Sequence, residues 1–464
     1  MIEVLSLDNL IWSHNDTFLF DGLSFDLFQS EILGITGLNG SGRSTLANII
    51  SGGVQIPSLN LSINQKEFNP RNIQEAEQKG IYCIHDKGTF FKNISVAENI
   101  MLLNKSIKNT LWFPSKSQIA LYKAIASDIE ANIPSERNVS DISISDSHTL
   151  EILRAYLCGA KVIILDDVLK HYSENDFVNL IAIFKKLTNS KVSLIVIDSN
   201  IDRLCQFVNR VVVIGRGRKI AELFRGEFSV EIINKILLGA QYRIVNYEKN
   251  LCTNNKIFVF DTAQEKSDQF IRFSLHEGEV LGFSVKDSRS EQVLNILKGN
   301  QKVTNGRLLL HKNEVITGKG INSMQKQRIE YLTDYHKMIF PQMTAIQNLE
   351  IGSLNNYVHG LTIDKSFERF VWNETAEKIG IDPALYNTPI RKLSSLIQFQ
   401  IVLSRALLMK PEIIVLDNCI EGLDVRLRNY IFEFIMEAKR RKIGILYFGQ
   451  LTQLAYNICD VFAF

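Results

Sequence analysis

What the sequence lacks narrows it first. Its six cysteines, Cys83, Cys158, Cys205, Cys252, Cys419 and Cys459, are scattered, and no two stand as C-x-x-C. Several lie in apolar runs, where a thiol is a small hydrophobe, so neither a zinc site nor a disulfide framework is expected, and a reducing compartment fits. Charge of one sign is missing too: 52 Lys and Arg against 50 Asp and Glu leave +2, which gives no field for nucleic acid as a bulk partner. The one basic run, Lys439 to Lys442, closes the helical pattern YIFEFIMEA, where cations suit a helix C-terminus. The opening MIEVLSLDNLIW has an acidic third residue and no basic stretch, so it does not read as a signal peptide. No apolar run is long enough to span a bilayer. The expectation is a soluble chain that meets a membrane only by docking on a membrane protein.

With 45% hydrophobic and 22% charged residues, the chain reads as globular, and 464 residues are too many for one ordinary domain. Short runs such as KVIIL, VSLIVI and RVVVIG are continuous rather than alternating. Strands buried on both faces look like this, and here they alternate with helical patterns, which predicts an α/β fold with a mostly parallel sheet. The sequence also repeats itself. EILG at Glu31 to Gly34 returns as EVLG at Glu279 to Gly282, AKVIILDD at Ala160 to Asp167 as KPEIIVLDN at Lys410 to Asn418, and ISVAENIMLL as MTAIQNLEIG. Ser143 precedes Asp166 by the same interval as Ser394 precedes Asp417. The join falls in the polar stretch near residues 240 to 255, so the expected domains are 1–245 and 246–464. The last residues, CDVFAF, read as the final strand of the second copy.

The stretch GITGLNGSGRSTLANIISG carries the chemistry. Gly37-x-x-x-x-Gly42-Arg43-Ser44 follows a strand-like EILGIT and opens a helix-like STLANII, the context a phosphate loop requires. Glycines at Gly37, Gly40 and Gly42 let the backbone take positive φ and bring N–H groups close to a phosphate. A helix start adds unpaired N–H groups and a positive dipole end. Ser44 offers a hydroxyl for magnesium. Arg43 stands where such loops carry lysine; it keeps the charge, but as a larger planar guanidinium. Downstream, Asp166 ends the apolar strand VIIL and brings a carboxylate to the sheet edge where ligands of open α/β sheets collect.

These residues resemble the ABC transporter ATPases, and more narrowly the tandem-cassette ATP-binding subunits of bacterial monosaccharide importers of the ribose and galactose type. The resemblance covers essentially the whole chain: GLNGSGRST at the Walker A position, IILDD and IVLDN at the two Walker B positions, and the GIYCIHD…SVAENI run. It implies two P-loop cassettes, each with a helical subdomain, and ATP with Mg2+ as cofactors. ATP would meet Gly37, Asn39, Gly40, Ser41, Gly42, Arg43, Ser44 and Thr45 from the loop, with Ser394 of the second signature stretch and Asp424 of the second D-loop facing it. Ser44 and Asp166 would hold the metal. It further implies a cytoplasmic, peripheral location, membrane permease subunits as partners, an extracytoplasmic sugar-binding protein as an indirect one, and no nucleic acid. The segments after Ser95 and Thr344 would form the helical subdomains, with Trp112, Phe113 and Val358 as candidate permease contacts.

The departures from that pattern bear on hydrolysis. Asp86 replaces the family's glutamine, Asp167 and Asn418 replace its catalytic glutamates, and Ser199 stands at the switch histidine. LSGGQ has become ISISD at Ile142 to Asp146 and LSSLI at Leu393 to Ile397, where Ser395 and Leu396 crowd a helix start. The second loop, GFSVKDSRSEQ, has no internal glycine, so its backbone cannot wrap a phosphate and that site is expected to be dead. With Asp167, Asp86 and Ser199 as the residues left to act on water, hydrolysis is expected to be weak or absent. Two readings stand side by side: an importer subunit that couples nucleotide binding, with slow hydrolysis at one site, to a permease; and a non-hydrolysing cassette protein with a regulatory or scaffold role.

Overall fold

The computed structural model describes residues 2–14, 17–86, 90–91, 93–102, 115–129, 131, 133–239, 251–263, 270–285, 287–303, 305–353, 358–359, 362–420, 422–450 and 453–463. The chain divides into two compact units, Met1–Tyr242 with Gly422–Val425, and Arg243–Glu421 with Arg426–Phe464. Trp112 and Phe113 lie outside the described residues, as does the side chain of Val358.

The first unit is built on a parallel sheet. Strands Ile81–Ile84, Val162–Asp166, Ser193–Ile197, Ile32–Gly37 and Arg210–Gly215 lie side by side in that order, all parallel, and Arg218–Phe224 adds an antiparallel edge. Alternate residues of the continuous apolar runs enter different cores. Ile163, Leu165, Leu194, Val196, Val211 and Val213 pack on one face. Ile164, Ile195, Ile197, Val212 and Ile214 pack on the other. Both faces are covered, so the strands need no polar alternation. The second face meets the helix Arg43–Ile50 and a four-stranded antiparallel sheet formed by Glu3–His14, Thr17–Phe28, Asn60–Ile63 and Lys66–Glu67. On the first face lies the helix Glu174–Asn189, started by a capping box between Ser173 and Asp176 and burying Phe177, Leu180, Ile183, Phe184 and Leu187. That spacing is one stripe of an amphipathic helix. Helices Val96–Leu102, Ser115–Asp128 and Ile144–Leu157 form the helical part.

The second unit repeats this order of elements. Ile329–Leu332, Ile413–Asp417, Gly444–Gly449, Val280–Ser284 and Val461–Phe462 form its parallel sheet. Phe270–His276, Lys256–Ala263, Gly306–Leu310 and Asn313–Glu314 form its antiparallel one. Helices Ala345–Glu350, Lys365–Ile379 and Ser395–Leu408 enclose a separate small core around Trp372.

The repeated AEN/IQN segment has a physical cause. Asn99 is buried and exchanges two hydrogen bonds with the Phe91 backbone, accepting from its N–H and donating to its carbonyl, both at 2.9 Å. Asn348, also buried, does the same with Phe340 at 2.8 and 3.1 Å. A buried amide satisfied this way fixes the loop in front of each helical part.

Candidate functional site

The loop at Gly37 sits at the C-terminal edge of the central strand Ile32–Gly37. Gly40 and Gly42 hold φ of 82° and 89°. A Cβ on Gly37 would stand 2.6 Å from the Ile214 carbonyl, and one on Gly42 would stand 2.8 Å from the Phe20 ring, so both positions need glycine for space as well. Helix Arg43–Ile50 starts at Gly42 with no side-chain cap. Its first N–H groups are therefore left for a ligand. Arg43 is buried; its Nη2 donates to Asn39 Oδ1 at 3.1 Å, while its Nη1 is buried with no partner among the described residues, as is the Ser41 hydroxyl. Gly40 and Ser44 are exposed, and Thr45 is half-buried in the first turn. Asp424, which counts within the first unit, is buried and accepts a hydrogen bond from the Asn39 N–H.

Three strand ends bring acids to this edge of the sheet. Ser44 Oγ donates to Asp166 Oδ1 at 2.9 Å, so the two metal candidates meet. Hydroxyl and carboxylate are hard oxygen donors and fit magnesium. Among the described residues no group of three or more His, Cys, Asp or Glu is arranged to hold a metal alone; such a site is completed by phosphate oxygens. Asp167 follows with a left-handed backbone, φ 54°, its N–H bonded to the Ile197 carbonyl at 2.9 Å. Burial raises its carboxyl above the ordinary range, against the Arg43 charge. Asp198, outside the recognised motifs, is buried at the end of the neighbouring strand and accepts from the Asn200 N–H at 2.7 Å and the Leu169 N–H at 3.3 Å. Burial, with the Asp167 charge next, lifts it to about 6. Ser199 is buried and donates to the Gly422 carbonyl at 3.3 Å.

Asp86 takes partners that the spacing gave no hint of. Its carboxylate meets His171 Nε2 and, at 3.0 Å, Lys170 Nζ, both from the turn after Asp167. The His171 hydrogen bond, opposed by burial and helped by Lys170, holds it far below the usual carboxylate range. The Asp86 carbonyl accepts from Nε2 of His148, a fully buried residue on helix Ile144–Leu157, at 3.1 Å. A carbonyl only accepts, so the proton is on Nε2, and His148 Nδ1 is left buried without a partner. Burial, with His171 next, lowers His148 to about 4.

Ser143 and Ser394 stand in equivalent places and do equivalent local work. Each is the N-cap of its helix, with Ser143 Oγ accepting from Asp146 N–H and the exposed Ser394 accepting from Ile397 N–H.

The second unit's loop inverts these charges. Helix Ser288–Leu297 starts at Asp287, whose carboxylate caps the Arg289 N–H and pairs with the Arg289 guanidinium at 2.6 Å. Asp417, at the place equivalent to Asp166, is held by Lys298 Nζ at 2.9 Å and by the Tyr331 hydroxyl. An anion stands where phosphate would enter, and an ammonium stands on the carboxylate that would serve a metal. Asn418 keeps the left-handed backbone of Asp167, with φ 48°.

The comparisons agree with this geometry. The family model described as ABC transporter matches residues 20–170. The ribose import ATP-binding protein RbsA of Caldanaerobacter subterraneus is 25% identical over 99% of this chain and 94% of its own. The galactose/methyl galactoside import ATP-binding protein MglA of Clostridium tetani is 25% identical over 94% and 88%. The xylose import ATP-binding protein XylG of Histophilus somni is 24% identical over 99% and 94%. Residues 20–170 match the ABC transporter model, and over nearly its whole length the chain is similar to ATP-binding proteins of that class. The relatives named here are ATP-binding proteins of monosaccharide import; this chain carries Arg43 in its first loop and no internal glycine in its second.

Proposed function

We propose that this chain is the ATP-binding subunit of a monosaccharide importer, taking one magnesium nucleotide at the first loop and coupling its binding to permease subunits in the membrane. The observation that carries this is the contact between Ser44 and Asp166 beside an uncapped helix start and a buried guanidinium nitrogen without a partner. These features support a phosphate and metal subsite, in a chain whose relatives import ribose, galactosides and xylose by name. Gly37 through Thr45 hold the phosphates, with Asp424 supporting the loop through Asn39. Ser394 is assigned to the same nucleotide by its place in the second signature stretch. Asp167, Asp86 and Ser199 replace the residues that activate water in the family, so hydrolysis is slow. The location is the inner face of the membrane through the permease, with an external sugar-binding protein as indirect partner. Among the described residues no helix is long and apolar enough to cross a membrane, so the permease is a separate chain in this reading.

Calorimetric titration of the purified chain with Mg-ATP is the first test, and co-purification with its permease the second. Saturable nucleotide binding and capture of a multispanning membrane protein support the reading. Nucleotide binding with only water-soluble partners would favour a regulatory cassette instead.

A further inference from the structure

Three elements of the first unit close a ring of polar contacts. From the turn Leu169–His171, Lys170 and His171 reach the Asp86 carboxylate, just past strand Ile81–Ile84. The Asp86 carbonyl accepts from His148 Nε2 on helix Ile144–Leu157. One residue along that helix, Thr149 donates its hydroxyl proton to the Ser145 carbonyl at 3.0 Å. The Tyr172 hydroxyl is therefore the donor to Thr149 Oγ1, 3.2 Å away. Tyr172 directly follows the turn, and the ring is complete: turn, strand end, helix, turn. The turn is also fixed from behind. Its Leu169 N–H donates to Asp198, and its Leu169 carbonyl accepts from the buried Arg203, which meets Glu174 at 2.9 Å. The two links between helix and turn differ in their surroundings. His148, Thr149 and Tyr172 are buried, where parting would leave polar groups without water. The Asp86, Lys170 and His171 side chains are 44%, 28% and 23% exposed, so water can compete for their contacts. The link through Asp86 is the one able to open.

We infer that Asp86 is a positioning residue: it clamps helix Ile144–Leu157 to the turn after Asp167, and this helix answers nucleotide at the first loop only when the clamp opens. The second half rests on the nucleotide reading of the loop. Asp166 and Asp167 lead straight into the turn, so nucleotide at that strand end is the stimulus the clamp resists. Moving the turn would pull Lys170 and His171 away from Asp86.

The test is amide hydrogen exchange on the full chain, with and without Mg-ATP, in wild type, Asp86→Asn and Lys170→Met. Both variants break the same contact, yet they change the charge near an anionic ligand in opposite directions. An effect common to both therefore belongs to the clamp and not to the general field. Without nucleotide, exchange over residues 144–157 and 169–172 is expected to rise together by about tenfold or more, while helix Arg43–Ile50 keeps its wild-type rate. With Mg-ATP, exchange over 144–157 should change by less than about twofold in wild type and by about fivefold or more in both variants. Asp86→Glu, which keeps the charge, should behave as wild type does. Lys170→Met carries the test alone if Asp86→Asn does not fold. Helix exchange that stays at the wild-type rate in the variants overturns the clamp. A wild-type helix that already responds to Mg-ATP as strongly as the variants overturns the restraint and leaves the nucleotide reading standing. If calorimetry finds no nucleotide bound to any form, the nucleotide reading falls together with the second half of the inference, and the nucleotide-free comparison still decides the clamp.

Discussion

Arg43 shows how one substitution can keep a site while changing its terms. Its guanidinium is buried, tied to Asn39 by one nitrogen and unsatisfied at another. An unpaired buried donor is costly, and a phosphate oxygen would relieve it. Arg43→Ala is expected to cost about 1.5–3 kcal/mol of nucleotide binding, the value of hydrogen bonds to charged groups, with the wild-type stoichiometry near one per chain in calorimetry. A second equivalent site, or affinity unchanged by the substitution, would speak against the assignment. His148 makes a pH prediction. Burial holds its folded pKa at about 4, below the ordinary imidazole value of about 6.5. Unfolding draws a proton between those values, so its contribution is complete above pH 6.5 and is lost as pH falls toward 4. The loss is on the order of 3 kcal/mol. Asp198, raised to about 6, acts in the opposite sense over the same range. The comparison is therefore between wild type and His148→Gln, by urea unfolding at a series of pH values: the variant should lose less stability on acidification. Asp198 was not legible in the sequence, because it is a single residue one step outside a recognised spacing. Asp86 was legible as a departure, but its partners Lys170 and His171 came from a turn that no pattern connects to it.

At the scale of elements, helix Ser288–Leu297 of the second unit is the counterpart of helix Arg43–Ile50, with its chemistry replaced. Asp287 caps its start and Lys298 at its end neutralises Asp417. Lys298→Met should destabilise the second unit by about 1–3 kcal/mol, since it strands a mostly buried carboxylate. It should create no second nucleotide site, because Asp287 still occupies the helix start. Unfolding curves and calorimetric stoichiometry read the two outcomes separately. The strands were the most readable part of the chain: VIIL and SLIVI are continuous because apolar–polar alternation is unnecessary when both sheet faces are covered, as the separate packing of Ile163 and Ile164 demonstrates. The lost glycines of the second loop were equally plain. The ion pair that took over there was hidden, since Lys298 and Asp417 are distant in sequence and meet only through the sheet.

For the whole molecule, two copies of one plan have kept their frame and parted in chemistry. Asp167 and Asn418 share a left-handed backbone, which Asp and Asn tolerate better than most residues. Hydrolysis is the property that tests the first copy. Asp167→Glu should raise turnover by about tenfold or more if a correctly reaching base is what is missing, with nucleotide affinity nearly unchanged. Restoring histidine at Ser199 is the harder repair, because Ser199 is buried and a larger side chain would overpack its surroundings. Phosphate release by the unmodified chain at about 1 s⁻¹ or faster would show that Asp167 already reaches the water. The Lys298–Asp417 pair has a practical corollary for solution work. A cassette that carries its own counter-charge has no reason of its own to respond to added nucleotide, so its amide deuterium uptake is an internal clock against which the other half can be timed. Any nucleotide-dependent change of pace around Asp417 is then news that has travelled from elsewhere in the chain.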